Sequence, residues 1–209
     1  MGKTRGLLIT FDGPNGVGKS SVLLGVAALL TQSGCNILAT KEPTSSPLGQ
    51  FVRDAEEVYT GRTFAHLVAA DRYFHLESEI LPALSAGKVI LCDRYVESSL
   101  VLQRLDGLDI DDVWSINSQV QIPDLSIILQ AQPEILAQRL AQRNRLSRFE
   151  KNNSRTRELT FYQEAASFLS SKGFNVMFLE NDDVSLEQIA DRIAQKILTI
   201  EGDHIKDEL

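Results

Sequence analysis

Residues 11–21, FDGPNGVGKSS, restrict the possible folds more than any other stretch of the chain. Gly13, Gly18, Lys19 and Ser20 meet the spacing G-x-x-x-x-G-K-[ST], with an apolar run before them and helically spaced apolar residues after. Glycines at 13, 16 and 18 allow successive N–H groups to turn inward around an anion, and the positive end of the next helix reinforces them. A turn required only for its geometry would have no need of the Gly-Lys-Ser run. The loop therefore reads as a holder of triphosphate oxygens, formed by Gly13, Asn15, Gly16, Val17, Gly18, Lys19, Ser20 and Ser21. Lys19 is expected to reach the β- and γ-phosphates of ATP, and the Ser20 hydroxyl to ligate Mg²⁺.

Such a loop needs a strand before it and a helix after it, and the rest of the chain continues that alternation. Short apolar runs at 7–11, 36–40, 89–92, 125–129 and 175–179 have the length of buried strands. Apolar residues at helical spacing occupy 20–32, 47–58, 65–84, 110–120, 133–143, 155–171 and 185–198. Strands alternating with helices connect by right-handed crossovers, which predicts a three-layer α/β fold with a five-stranded parallel sheet between helices. No repeat or Pro-, Gly- or Ser-rich linker interrupts the 209 residues, so one domain spanning 1–209 is expected.

Composition removes several function classes. A net charge of -7 is unsuited to coating nucleic acid, which demands many Lys and Arg contacts to phosphates, so any anion site is local. No tract is long and apolar enough to span a bilayer. Cys35 and Cys92 sit in or beside apolar runs and read as free thiols of a reducing compartment. The final KDEL matches a retrieval signal, but the first residues lack the apolar segment of a signal peptide. The match reads as coincidental and the location as cytoplasmic. Gly2 fits no myristoylation start, because Gly6 stands where Ser or Thr is needed.

Later segments supply candidate partners for the loop. VILCDRY, 89–95, is an apolar strand ending in Asp93, suited to be the second acidic element at Mg²⁺, with Arg94 next to it. Neither a D-x-x-G switch nor an N-K-x-D base-reading motif follows, which argues against a GTPase. The stretch 143–157, RNRLSRFEKNNSRTR, is dense in arginine and lies between two helices. His66, His75 and His204 are scattered without metal-ligand spacing, so none is expected to bind metal.

Taken in order, FDGPNGVGKSS, KEPTSSPLGQFVR, AADRYFH, CDRYVESSLVLQ and QRLAQRNRLSRFE resemble the thymidylate kinase family over nearly the whole chain. The resemblance implies transfer of the ATP γ-phosphate to dTMP with Mg²⁺, usually by a homodimer. By position, it implies that Lys19 and Ser20 serve ATP and metal, that Asp93 assists the metal, and that Arg94 handles phosphates. It identifies 143–157 as a lid in which Arg143 and Arg148 close over the transferring group. It also puts Arg53 near the monophosphate, Arg72 near the base, and Ser98, Ser99 and Gln103 in the nucleoside pocket, with Glu42 and Val68.

Three positions depart from the family pattern, and all face the nucleoside. Asn15 stands where an acid usually meets the sugar 3′-hydroxyl, Val68 where a Phe usually stacks on thymine, and Leu102 where a Tyr is usual. Tyr73 or Phe74, a turn further along the helix, would replace the missing ring if that helix were rotated, but each reads first as core or interface packing. Two other readings stay open: a kinase for a different nucleotide or a nucleoside hydroxyl, with Glu42 as general base, and a nucleotide-binding protein without turnover.

Overall fold

The computed structural model describes residues 5–142, 148–151, 155–182 and 184–207. Arg143, part of the expected lid, Gly2 and the end of the KDEL tail lie outside the described residues. Among the described residues, the strands β1 (Leu7–Asp12), β2 (Ile37–Lys41), β3 (Val89–Asp93), β4 (Leu125–Gln130) and β5 (Val176–Glu180) form one parallel sheet in the order β2-β3-β1-β4-β5. The five runs expected from the sequence are these strands. β1 is central, with Ile9 opposite both Leu91 and Leu125.

Period-two alternation along the strands divides the core between the two faces. Leu7, Ile9, Phe11, Leu91 and Ile127 meet Val22 and Val26 of α1 (Lys19–Gln32) and Ile193 and Ile197 of α10 (Leu186–Asp207). The intervening residues Leu8, Ile90, Cys92 and Ile128 point the other way. They meet Leu100 of α5 (Val96–Leu105), Val113 of α6 (Ile110–Asn117) and Leu169 of α9 (Arg155–Ser171). Each fully buried aliphatic side chain contributes about 1.5–3 kcal/mol. The result is the expected three-layer α/β fold, a five-stranded parallel sheet between helices.

The remaining helices are α2 (Pro47–Ala55), α3 (Gly61–His75), α4 (Leu81–Ser85), α7 (Pro133–Ala141) and the short α8 (Arg148–Lys151). The expected helix over 65–84 is three pieces: α3, a π-helical stretch Leu76–Ile80, and α4. Pro82 explains the break, since it has no N–H with which to continue the ladder. Helix α5 was not expected from the sequence. No side chain of its own segment caps it; instead Asp12 of β1 accepts the N–H groups of Tyr95 and Ser98 at 3.2 and 3.0 Å. A cap brought from 86 residues away leaves no local signature.

In this strand order β1 is where connections diverge to the two sides of the sheet. A crevice opens at such a switch point, beyond the carboxyl ends of the strands. The phosphate loop, Asp93 and Arg94 are all at this end.

Candidate active site

The loop leaves β1 through Gly13 at φ 136°, and turns again at Gly16 and Gly18 with φ 86° and 98°. Gly13 is required twice over, by this conformation and because a Cβ would lie 2.3 Å from the carbonyl oxygen of Leu129. Gly18 precedes α1 without capping it through a side chain, so the first N–H groups of that helix are left for an anion. Asn15, Gly16, Gly18, Lys19, Ser20, Ser21, Asp93 and Arg94 line a cavity of about 280 Å³. Val17 faces away from it. Its side chain is buried, and its carbonyl accepts from Asn181 Nδ2 at 2.5 Å and Arg139 Nη1 at 3.3 Å, which pins the loop to neighbouring elements.

Lys19 lies buried, donating from Nζ to the carbonyls of Gly13 and Pro14 at 2.8 and 3.0 Å. Burial, aided by the nearby Arg94 charge, lowers its pKa to about 7, against the opposite pull of Asp12, Asp93 and Glu158. Ser20 Oγ donates to Asp93 Oδ2 at 2.5 Å, so two side-chain oxygens separated by 73 residues meet at the edge of the cavity. Hard oxygen donors of this kind suit Mg²⁺.

Arg94 is the one non-glycine residue with positive φ, 73°, among the described residues. That conformation costs about 1–3 kcal/mol and is retained only where surrounding bonds enforce it. Its own N–H donates to Phe11 O at 2.9 Å, Nη1 to Ser98 Oγ at 2.9 Å, and Nη2 to Asn15 Oδ1 at 2.6 Å. A neutral amide at position 15 orients the guanidinium without cancelling its charge, as a carboxylate would.

Beneath these groups is a residue the sequence reading missed. Asp12, fully buried, accepts from Gly13 N at 2.9 Å, Ser98 Oγ at 2.8 Å and Tyr162 Oη at 2.7 Å, besides the α5 N–H groups. It ties the loop, α5 and α9 together. Glu97, also buried, accepts from Thr10 Oγ1 at 2.6 Å and from Ser126 Oγ; burial and then Asp12 push its pKa up. Glu158 of α9 accepts the Asn15 N–H, and burial raises its pKa against Lys19 and Arg94. Only the position of Asp12 at the end of an apolar strand marked it in the sequence.

A second cavity, of about 190 Å³, adjoins the first. Its polar wall includes Glu42, Arg72, Ser98, Ser99 and Gln103, and its apolar wall includes Phe64, Val68, Leu102 and Phe149. Arg72 is 1% exposed and bound on several sides: Nε donates to Glu42 Oε2 at 2.8 Å, Nη1 to Ser99 Oγ and Asn117 Oδ1 at 2.9 and 2.5 Å, and Nη2 to Tyr95 O at 3.0 Å. His75 braces the pair from behind, with Nδ1 3.3 Å from Glu42 Oε1 and Nε2 2.9 Å from Glu79 Oε2. Burial lowers the His75 pKa, but Glu42 and Glu79 outweigh it and the net direction is upward. Gln103 Oε1 is buried with no hydrogen-bond partner among the described residues, so its acceptor capacity is unused.

Two candidates stand apart from both cavities in this conformation. Arg53 Nη1 donates to the carbonyls of Pro43 and Thr44, both at 2.7 Å, and so holds the turn that brings Glu42 and Pro43 to the second cavity. Arg148 forms a bidentate pair with Asp106, at 2.5 and 2.8 Å, and is not among the residues lining the phosphate cavity. Nor do Tyr73 and Phe74 replace the missing ring: the Tyr73 hydroxyl donates to Ile116 O, and Phe74 is 44% exposed.

Asn15 and Arg94 line both cavities, so the walls meet at a strained arginine and the head of the phosphate loop. A triphosphate held in one cavity and a smaller ligand in the other would adjoin there, which assigns the chain to the P-loop kinases as a class. Comparison with known proteins narrows that class. The thymidylate kinase family profile matches residues 11–193. A probable thymidylate kinase of Pyrococcus horikoshii is 39% identical over 155 residues, which cover 70% of this chain and 76% of the relative. The thymidylate kinase of Halalkalibacterium halodurans is 34% identical over 170 residues, 77% of this chain and 80% of its own. That of Caldicellulosiruptor saccharolyticus is 30% identical over 210 residues, 97% and 98%. The chain belongs to the thymidylate kinase family.

Proposed function

We propose that this protein transfers the γ-phosphate of ATP to dTMP, giving ADP and dTDP. The observation that carries this reading is the pair of cavities sharing Asn15 and Arg94. Phosphoryl transfer asks little covalent chemistry of a protein; it asks that donor and acceptor be aligned and that charge on the moving group be offset. The amides of the loop and the start of α1 would cradle the donor phosphates. Lys19 would exchange its two carbonyl partners for phosphate oxygens. Ser20 and Asp93 would hold Mg²⁺, which, when bound, offsets negative charge on the phosphate oxygens. Arg94 would contact the phosphate at the junction, and Arg148, released from Asp106, would add a second guanidinium from the lid, with Arg143. Arg72, Ser98, Ser99 and Gln103 would orient the nucleoside.

The nucleoside-hydroxyl reading needs Glu42 as a free base. Both of its oxygens are engaged, one by Arg72 and one by His75, which favours a positioning role. We further take the enzyme to be cytoplasmic, to act as a single domain and to work as a homodimer. The exposed Phe51, Val58, Tyr59 and Phe74 offer apolar surface for the second subunit, and no described helix is long and apolar enough to cross a membrane. Sedimentation at micromolar concentration tests the dimer. A coupled ADP-release assay with Mg-ATP against dTMP, dUMP, other monophosphates and free nucleosides tests the activity. The highest kcat/KM is expected for dTMP, and turnover of free nucleosides alone would overturn the assignment.

A further inference from the structure

The family position for a ring over thymine is Val68, and the residues expected to compensate point elsewhere. The cavity itself contains two rings. Phe64 precedes Val68 by one turn of α3, so the two side chains share a face, and both line the acceptor cavity. Phe149, from α8, lines the same wall. Phe64 and Phe149 are 4% and 8% exposed, their centroids 6.3 Å apart and their planes inclined at 42°. They form one small cluster with Val52 and Ala55, flanked by Val68 and Leu102.

We propose that Phe64, with Phe149 behind it, is the aromatic surface on which the acceptor pyrimidine packs, the stacking position having moved one helical turn from residue 68. The proposal rests on the reading of this cavity as the acceptor site. The base lies against the pair rather than between its members, because a sandwich needs two stacking gaps of about 3.4 Å each, close to 7 Å, and the tilted rings are nearer than that. The polar groups Arg72, Ser99 and Gln103 line the same cavity, and the edge of a ring so placed would turn toward them. Phe149 is held where it is needed: Glu56 accepts the N–H groups of Arg148 at 3.0 Å and of Phe149, and the Arg148 guanidinium lies 4.3 Å from the Phe149 centroid and 5.5 Å from that of Phe64. Val68 and Leu102 fill the remaining wall with aliphatic groups, which exclude water but offer no π face.

The test is a steady-state comparison of the parent, Phe64→Leu, and Phe64→Leu combined with Val68→Phe. Leucine keeps the apolar bulk that Val52 and Ala55 pack on, and a thermal melt of each variant checks that it folds. Phe64→Leu is expected to raise KM for dTMP about tenfold while KM for ATP stays within twofold, a base stack being worth roughly 1–3 kcal/mol. Adding Val68→Phe is expected to recover most of that loss. An independent readout is Phe64→Trp, whose emission should be quenched on titration with dTMP and not with ATP, measured as the difference from the parent, which keeps Trp114. A parent active on dTMP with an unchanged KM in Phe64→Leu, or a Phe64→Trp signal blind to dTMP, overturns the proposal and leaves the kinase assignment intact. A parent inactive on dTMP overturns the assignment itself, and this proposal with it.

Discussion

The two halves of the cleft are built by different means. The half proposed for the donor is backbone: glycine turns and the start of α1 line the cavity, and its residues are mostly neighbours in sequence. The acceptor half is side chain. It draws Glu42, Phe64, Arg72, Ser99, Gln103 and Phe149 from segments far apart, and holds them by buried polar bonds such as Arg72 to Asn117 across 45 residues. Backbone amides recognise any triphosphate tail, whereas a wall of side chains is altered by each substitution. All three departures from the family pattern, Asn15, Val68 and Leu102, line the acceptor cavity.

Removing a cation from the donor half is expected to have the largest effect. Lys19→Ala should lower kcat/KM by about 10²–10³-fold, the usual cost of one preorganised donor in a transition state. Its melting temperature should be unchanged or higher, since a buried charge is removed; a collapsed fold by circular dichroism would show that Lys19 supports structure instead. On the acceptor side, Glu42→Gln leaves the Arg72 guanidinium buried without its counter-charge, and should cost about 3–5 kcal/mol in urea unfolding. It should raise KM for dTMP and spare turnover at saturation. Loss of turnover in the folded variant, by more than about 10³-fold, would restore the general-base role.

Proton linkage distinguishes the halves more finely. With no phosphate bound, Lys19 titrates near pH 7, below its ordinary 10.5, and a triphosphate beside it favours the charged form. Above pH 7, ATP binding should therefore take up a proton and weaken about fivefold from pH 7 to pH 8. For the free protein the sign is opposite in kind. Between about pH 7 and 10.5 the unfolded chain holds more protons at this lysine, so its contribution to stability rises with pH. Isothermal titration of Mg-ATP in two buffers of different ionisation enthalpy measures the uptake, and a heat independent of buffer would place the proton elsewhere. dTMP binding should show no such Lys19-linked step. The smallest effect is expected at the lid: Asp106→Asn weakens a partly exposed pair with Arg148 and should shift stability by under about 1 kcal/mol. It should raise kcat slightly if Arg148 must leave Asp106 to act, and a lower kcat would mean that the pair itself is the working state.

How far the sequence could be read follows the same division. The strand-loop-helix, the five strands and the meeting of Ser20 with Asp93 were all legible, because each depends on a local period or on one motif at the end of a strand. Helix α5 was not, since Asp12 supplies its cap. Tyr73 packs against the core and Phe74 is exposed, as their first reading in the sequence has it, while Phe64, one turn before Val68, carries no motif that marks it as part of the cavity.

By itself, the sequence determined that a glycine-rich loop joins a strand to a helix of a parallel sheet, because glycine spacing and hydrophobic period act over a few residues. Only the tertiary structure decided which side chains form the wall of the second cavity, that Asp12 joins the loop to α5 and α9, and that Arg148 rests on Asp106. Those choices depend on groups separated by tens of residues, and a hydrogen bond or ring contact at that separation exists only once the sheet has brought its strands together.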